Sequence, residues 1–184
     1  MQRLTALDPE TTTGKSKELF NAIQSKLGMV PNMMRTMGNS PAVLNGYLSL
    51  NAVLSESRLG AKLGELIALT VANANSCDYC NAAHSFIGEK LVHIDAEAIN
   101  DARSGKSNDA KIQAALDFSR ILIDKKGEVS EADMDAVKSA GYDDGAIAEI
   151  IAHVSLNIFT NYFNKAANVL VDFPQVELVE AAVI

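Results

Sequence analysis

An all-α fold is what this sequence predicts, and three observations predict it. Apolar residues recur at spacings of three and four along most of the 184 positions, the signature of helices with one buried face. Alternating β-branched runs, which would signal strands, are missing. Gly, Ser and Asp recur at the places where helices should start and stop. With 48% apolar residues, 21% charged residues and four prolines, one well-buried core within a single domain spanning 1–184 is expected.

The elements follow in order. Residues 1–14 read as an extended arm. A helix fits 15–27, with Leu19, Phe20, Ile23 and Leu27 on one stripe and Gly28 as its stop. Val30-Pro31-Asn32-Met33-Met34 opens a short turn or helix. Ser40-Pro41 then starts a helix to about Leu54, serine as N-cap and proline in the first turn. The next helix covers 60–72 and turns Leu63, Leu66, Ile67, Thr70 and Val71 inward. Asn73, Asn75 and Ser76 weaken it, because short polar side chains compete for the backbone. Ser76 is the expected N-cap of a helix through His84 to about Lys90. Asp95 caps a short helix, Ser107 or Asn108 starts one ending at Gly127, and Ser130 starts one ending at Gly141. Asp143 caps the last long helix, expected to reach about Val171 before Asp172-Phe173-Pro174 stops it. Residues 174–184 read as a tail lying over the surface or over a neighbouring subunit. Met29, Met33, Met34 and Met37 read as core or interface filler.

An internal echo appears at an offset of 84 residues. Glu65-Leu66-Ile67-Ala68 lies over Glu149-Ile150-Ile151-Ala152, Asn73 over Asn157, and Ala82-Ala83 over Ala166-Ala167, six identities in 20 ungapped positions. A duplicated helical unit explains this register. In the second copy Cys77, Cys80 and His84 become Asn161, Asn164 and Asn168, which leaves the reactive side chains in the first.

The stretch Ser76-Cys77-Asp78-Tyr79-Cys80-Asn81-Ala82-Ala83-His84 holds both cysteines and one of three histidines. On a helix, Cys77, Cys80 and His84 fall within an arc of about 60°. The cysteines stand about 5–6 Å apart, within disulfide reach, and His84 is one turn along the same stripe. Helix-end N–H groups favour a thiolate, at Cys77 more than Cys80. Glu65, in an apolar helix segment, should have a partner, since an unpaired carboxylate there is costly; its echo Glu149 suits a structural salt bridge. His153 stands where the first copy has Leu69, as a hydrogen-bonded core residue or a secondary site residue. His93 reads as a surface residue. Two other uses of the cysteines remain open from spacing alone: inert buried side chains, or a zinc site completed by His84 and a carboxylate. Haem attachment would need a histidine where Asn81 stands.

Glu65 followed by Cys77-x-x-Cys80-x-x-x-His84, with the twelve-residue offset from glutamate to cysteine and the duplication, resembles the AhpD-like alkylhydroperoxidases of the carboxymuconolactone decarboxylase superfamily. Val30-Pro31-Asn32-Met33, the Ser40-Pro41 start and the run from Ala152 to Tyr162 resemble a peroxidase-related branch of it. The resemblance implies an AhpD-like helical bundle assembling as a homotrimer or homohexamer, and a peroxidase that reduces organic hydroperoxides at the expense of an external dithiol donor, with no bound cofactor or metal. It implies that Cys80 is the attacking thiol, activated through His84, that Cys77 resolves the sulfenic acid into a disulfide, and that Glu65 belongs to the proton relay. AhpD proteins proper carry a second histidine where this chain has Tyr79, a phenol suited to a hydrogen bond or to packing rather than to proton relay at neutral pH. The rival classes are a decarboxylase of the founding type, whose members lack the cysteine pair, and a non-enzymatic redox-sensing or zinc-binding module.

A net charge of −7 disfavours nucleic acid and anionic membranes as partners. The apolar region 147–159 is interrupted by Glu149, His153 and Asn157, so no membrane span is expected there. The first residues lack the apolar core of a signal peptide. A cytoplasmic protein with reduced thiols is the expectation.

Overall fold

The computed structural model describes residues 1–179, and every regular element among them is a helix. In order these are α1 (Gly14–Leu27), α2 (Asn32–Met37), α3 (Pro41–Leu54), α4 (Gly60–Ala74), α5 (Asp78–Lys90), α6 (Ala96–Arg103), α7 (Ala110–Asp124), α8 (Glu131–Ser139) and α9 (Asp144–Ala167). The apolar spacing located each of them to within a few residues.

The bundle is arranged around α4. Leu63, Leu66, Ile67, Leu69 and Val71 are buried, and the helix touches α5, α6, α7 and α9. A helix apolar on nearly every side needs neighbours all round. Two clusters result. One joins Ile67 and Leu69 to Leu116 and Phe118 of α7 and to Ile150 and Val154 of α9. The other packs Phe20, Met33, Met37 and Leu44 from the N-terminal helices against Cys77, Tyr79, Cys80 and Ala83 of the α4–α5 region. The reactive stretch therefore lies in a core, where backbone movement is restrained.

Several helix ends follow from their own residues. Gly28 takes φ 76° at the end of α1, Ser40 accepts the Val43 N–H, and Asp95 accepts the Ala98 N–H. Ser130 and Asp133 make a reciprocal capping box on α8. Two expected boundaries move. The cap of α7 is Asp109, whose carboxylate accepts from Lys111 and Ile112, rather than Ser107 or Asn108, and the helix ends at Asp124. Helix α9 stops at Ala167 instead of reaching Val171, because Asn168 adopts a left-handed conformation at φ 49°. Next to glycine, asparagine is the residue that does this most readily.

The copies related by the 84-residue offset differ in continuity. The second copy is the unbroken helix α9, whereas the first is broken into α4 and α5 at Asn75–Ser76–Cys77. The break has a defined form: Ser76 sits at φ 50°, its N–H reaches Asn73 O at 2.9 Å, and the Cys77 N–H reaches Ala72 O at 2.9 Å. This is a Schellman ending, with serine where glycine is preferred. Replacing Ser76 with glycine should raise stability by a few tenths to about 1 kcal/mol in denaturant melts.

The termini are tied down over this region. Arg3 donates its N–H to Ala167 O and its guanidinium to Lys165 O and Ala166 O at the end of α9. In the tail, the Asn32 N–H donates to Asp172 at 2.7 Å, and Asn73 pairs with the backbone of Val179 in both directions. The tail up to Val179 thus lies over its own chain; residues 180–184 of the expected tail lie outside the described residues. Gly38 illustrates how closely the N-terminal helices pack: a methyl group there would overlap the Phe20 ring, which is 1% exposed. Gly38→Ala is expected to cost about 1–3 kcal/mol, read as a lower denaturation midpoint.

Candidate active site

The Schellman ending fixes where Cys77 goes. Its N–H closes α4, and its side chain opens α5: Cys77, rather than the expected Ser76, is the N-cap, its Sγ accepting the Cys80 N–H at 3.3 Å. Ser76 is unavailable as cap because it is spent on the left-handed turn. Cys77 and Cys80 are joined as a disulfide with Cα atoms 5.3 Å apart, and both are buried. Asn81, fully buried, donates its Nδ2 to Cys77 O at 3.1 Å and holds the bend from behind.

Glu65 finds the partner its setting demands. Its Oε2 lies 2.8 Å from His84 Nδ1, and the two side chains are 19% and 22% exposed. They line a cavity of about 490 Å³ together with Cys80; Cys77 is absent from its walls. Most of the rest of the lining is apolar, contributed by residues such as Met34, Leu54, Phe86, Leu156 and Phe173. Glu149, the echo of Glu65, accepts the backbone N–H of Arg58 at 3.1 Å, while the Arg58 guanidinium grips Asp143 in a two-pronged pair. As expected, the second copy also uses its glutamate in an ion pair, with Arg58 Nε 3.8 Å from Glu149 Oε1.

Tyr79 is 4% exposed. Its hydroxyl accepts the Met33 N–H at 3.2 Å, and its ring meets Phe173 edge-on at 5.8 Å. Burial first, and then the nearby Asp172 carboxylate, push its pKa upward, so at neutral pH it holds its proton. It ties α5 to α2 and to the tail. His153 also reaches the cavity wall, its Nε2 3.2 Å from Ser57 Oγ. A methyl group on Gly64 would stand 3.2 Å from its ring, so the glycine makes room for it. Burial lowers the His153 pKa, against the pull of Glu149 and Glu65. A histidine held neutral contributes stability that is full above its unfolded pKa of about 6.5 and is lost as pH falls below it. His153→Gln should therefore flatten the decline of unfolding free energy below about pH 6.5 in urea titrations; an unchanged slope would assign that decline to other groups.

Three residues of this region were given no part in the site by the sequence. Tyr47 of α3 lines the cavity, its pKa pushed up to about 12 by burial and then by Glu65. Asp172 fastens the start of α2. Asn164 of α9 donates its Nδ2 to Cys80 Sγ at 3.3 Å. The 84-residue register could have found Asn164, since it is the counterpart of Cys80. His93 is exposed, as expected; Met33, Met34 and Met37 are buried, whereas Met29 is exposed. Among the described residues no group of three His, Cys, Asp or Glu side chains is placed to hold a metal ion, and no helix is long and apolar enough to cross a membrane.

Residues 41–119, from the start of α3 into α7, match the carboxymuconolactone decarboxylase family. From α3 into α7 the chain is thus similar to the carboxymuconolactone decarboxylase family. Solved structures of similar fold include an uncharacterized peroxidase-related protein from Silicibacter sp. TM1040, at 28% identity and TM-score 0.78, covering 90% of this chain and 91% of that one. An uncharacterized peroxidase-related protein with an alkylhydroperoxidase AhpD core, from Ralstonia eutropha JMP134, gives TM-score 0.83 at 21% identity, covering 93% of this chain and 92% of that one. A cysteine-to-alanine variant of the debrominase Bmp8 in complex with 2,3,4-tribromopyrrole gives TM-score 0.77 at 21% identity, covering 92% and 91%. No curated relative matches the sequence. The fold is the AhpD-like helical bundle.

Proposed function

We propose that this protein is a thiol-dependent peroxidase that reduces organic hydroperoxides by cycling Cys77 and Cys80 between dithiol and disulfide. The observation that carries the reading is the division of labour at the bend. Cys80 lines the cavity beside the bonded Glu65–His84 pair, while Cys77 caps the helix behind it. In the reduced protein, His84 takes the Cys80 proton, and Glu65 orients the imidazole and offsets the charge it gains. The Cys80 thiolate attacks one oxygen of the peroxide and breaks the O–O bond. This leaves Cys80 as sulfenic acid and releases an alkoxide, which is protonated to the alcohol. Cys77 then attacks the Cys80 sulfur, forming the disulfide and expelling hydroxide, which leaves as water.

The return half uses the same asymmetry. An external dithiol attacks Cys80 Sγ from the cavity, and Cys77 departs as a thiolate held by the Cys80 N–H and the helix end. A second attack by the donor's other thiol frees Cys80. The apolar walls favour an organic peroxide over hydrogen peroxide. The cycle needs no metal or bound cofactor. A reducing cytoplasm suits the donor. With a net charge of −7, neither nucleic acid nor an anionic membrane is a partner in this reading. Exposed Ile151, Phe159 and Tyr162 on α9 support assembly into homotrimers or homohexamers, which light scattering would read as three or six chain masses.

The test is a steady-state assay with several hydroperoxides and a recycling dithiol, with 2,3,4-tribromopyrrole run as a comparison substrate. Consumption of alkyl hydroperoxides with matched oxidation of the dithiol is expected. Bromide release without peroxide consumption would replace the reading. About one equivalent of zinc in the reduced protein would point to a metal-binding module.

A further inference from the structure

Duplication leaves the second copy without cysteines, and α9 could be scaffold alone. Its contacts say otherwise. Asn164 is 3% exposed and stands on the wall of the cavity that Cys80 lines. Its Nδ2 has two hydrogens and two sulfur acceptors, Cys80 Sγ at 3.3 Å and Met33 Sδ at 3.3 Å. These two contacts orient the amide, because sulfur in either group accepts and a carbonyl oxygen there would meet no donor. The other end of the amide, Oδ1, is buried and has no hydrogen-bond partner. A buried acceptor left unsatisfied is costly, and at a cavity wall beside a reactive sulfur it points to a ligand with an O–H group.

We propose that Asn164 is a catalytic residue supplied by the second copy: its Nδ2 holds the Cys80 thiolate, and its Oδ1 accepts the O–H of the hydroperoxide that the thiolate attacks. The proposal rests on the peroxidase reading for the second of these roles only. An N–H aimed at sulfur is weak toward a disulfide and becomes charge-assisted once the sulfur is a thiolate. It thus favours the reactive form. The O–H held by Oδ1 fixes the peroxide beside Sγ, so that the thiolate takes one oxygen and the alkoxide leaves with the other. The oxygen gained by sulfur stays within reach of the same acceptor as a sulfenic acid. Cys80 meets other titratable groups in this space, namely Glu65 from α4, His84 and Tyr79 from α5, Tyr47 from α3, His153 from α9 and Lys26 from α1, with Asp172 of the tail beside Tyr79. The assay below holds all of them constant.

The experiment uses the Cys77→Ser protein, in which Cys80 is the sole thiol and serine keeps the cap on α5. The pH dependence of Cys80 alkylation by iodoacetamide gives the thiol midpoint without any peroxide. Asn164→Leu should raise that midpoint by about one pH unit, and Asn164→Asp, which sets a negative charge against the sulfur, by more. Midpoints unchanged in both variants would overturn the first role. Because iodoacetamide has no O–H, it also serves as the control for the second. Stopped-flow oxidation by cumene hydroperoxide, compared at equal thiolate fraction, should fall on the order of ten-fold further in Asn164→Leu than alkylation does. Equal losses would overturn the second role. Should Asn164→Leu fail to fold, Asn164→Ser, which keeps a smaller polar group, takes its place with the same expected direction. A raised midpoint in a protein that consumes no hydroperoxide would remove the peroxidase reading and leave the thiolate contact standing.

Discussion

Replacing Cys80 with serine should reduce hydroperoxide consumption to the uncatalysed rate. The hydroxyl that replaces the thiol stays protonated at neutral pH and is a far poorer nucleophile. Cys77 cannot stand in for it. It is absent from the cavity wall that Cys80 lines and is committed through its sulfur to the Cys80 N–H. The paired substitution has a different expected outcome. Cys77→Ser preserves the helix cap and leaves Cys80 in the cavity, so one equivalent of hydroperoxide is reduced per chain and the reaction halts at a sulfenic acid that a dimedone probe traps. Cys77→Ala should show the same chemistry in a less stable protein, by about 1 kcal/mol for the lost cap. If Cys80→Ser retained turnover and Cys77→Ser abolished the first one, the roles of the two sulfurs would be reversed.

Breaking the Glu65–His84 pair should have the next largest effect. With Nδ1 engaged by the glutamate 2.8 Å away and His84 on the cavity wall, the other ring nitrogen is the one left to act as a base. The carboxylate fixes the orientation of the ring for that role. Removing the base with His84→Ala should slow peroxide reduction by about 100-fold or more at neutral pH. Glu65→Gln keeps a hydrogen-bonding group but removes the charge, and should give a smaller loss of the same kind. The decisive comparison is at alkaline pH, where hydroxide can ionise the thiol without help. Both variants should there regain much of their rate. A deficit that persisted at high pH would mean that the pair positions the substrate rather than moving a proton.

Much of this site can be read from residue spacing, and the reason is local geometry. The i,i+3 cysteines and the histidine one turn on are related by helix periodicity, which sequence carries directly; Glu65, on the preceding helix, is tied to them in the sequence only by the family resemblance. The inward set Leu63, Leu66, Ile67, Thr70 and Val71 of α4 is equally legible from its spacing, whereas the burial of Leu69 depends on neighbours on another side of the helix. What sequence does not carry is how the two copies cross. That Asn164 would meet Cys80, and Asn75 would meet Asn161 at 3.0 Å, depends on how α9 packs against the bend. The 84-residue register hinted at this pairing without fixing it. Ser76 misled in a different way. Serine is a good N-cap in general, but here the preceding helix needed a left-handed residue, and serving that end moved the cap to Cys77. Tyr79, suited by its phenol to a hydrogen bond or to packing, does both, but the partners that make it a tie between α5, α2 and the tail are long-range and leave no local pattern.

The central claim is that Cys77 and Cys80 form one two-electron redox unit driven by an organic hydroperoxide. The most direct measurement mixes fully reduced protein with one equivalent of cumene hydroperoxide in the absence of any donor, then counts thiols, alcohol and disulfide. The account predicts one equivalent of cumyl alcohol per chain, loss of both thiols together, and a Cys77–Cys80 disulfide in the peptide map. Two intact thiols beside unconsumed hydroperoxide would contradict it.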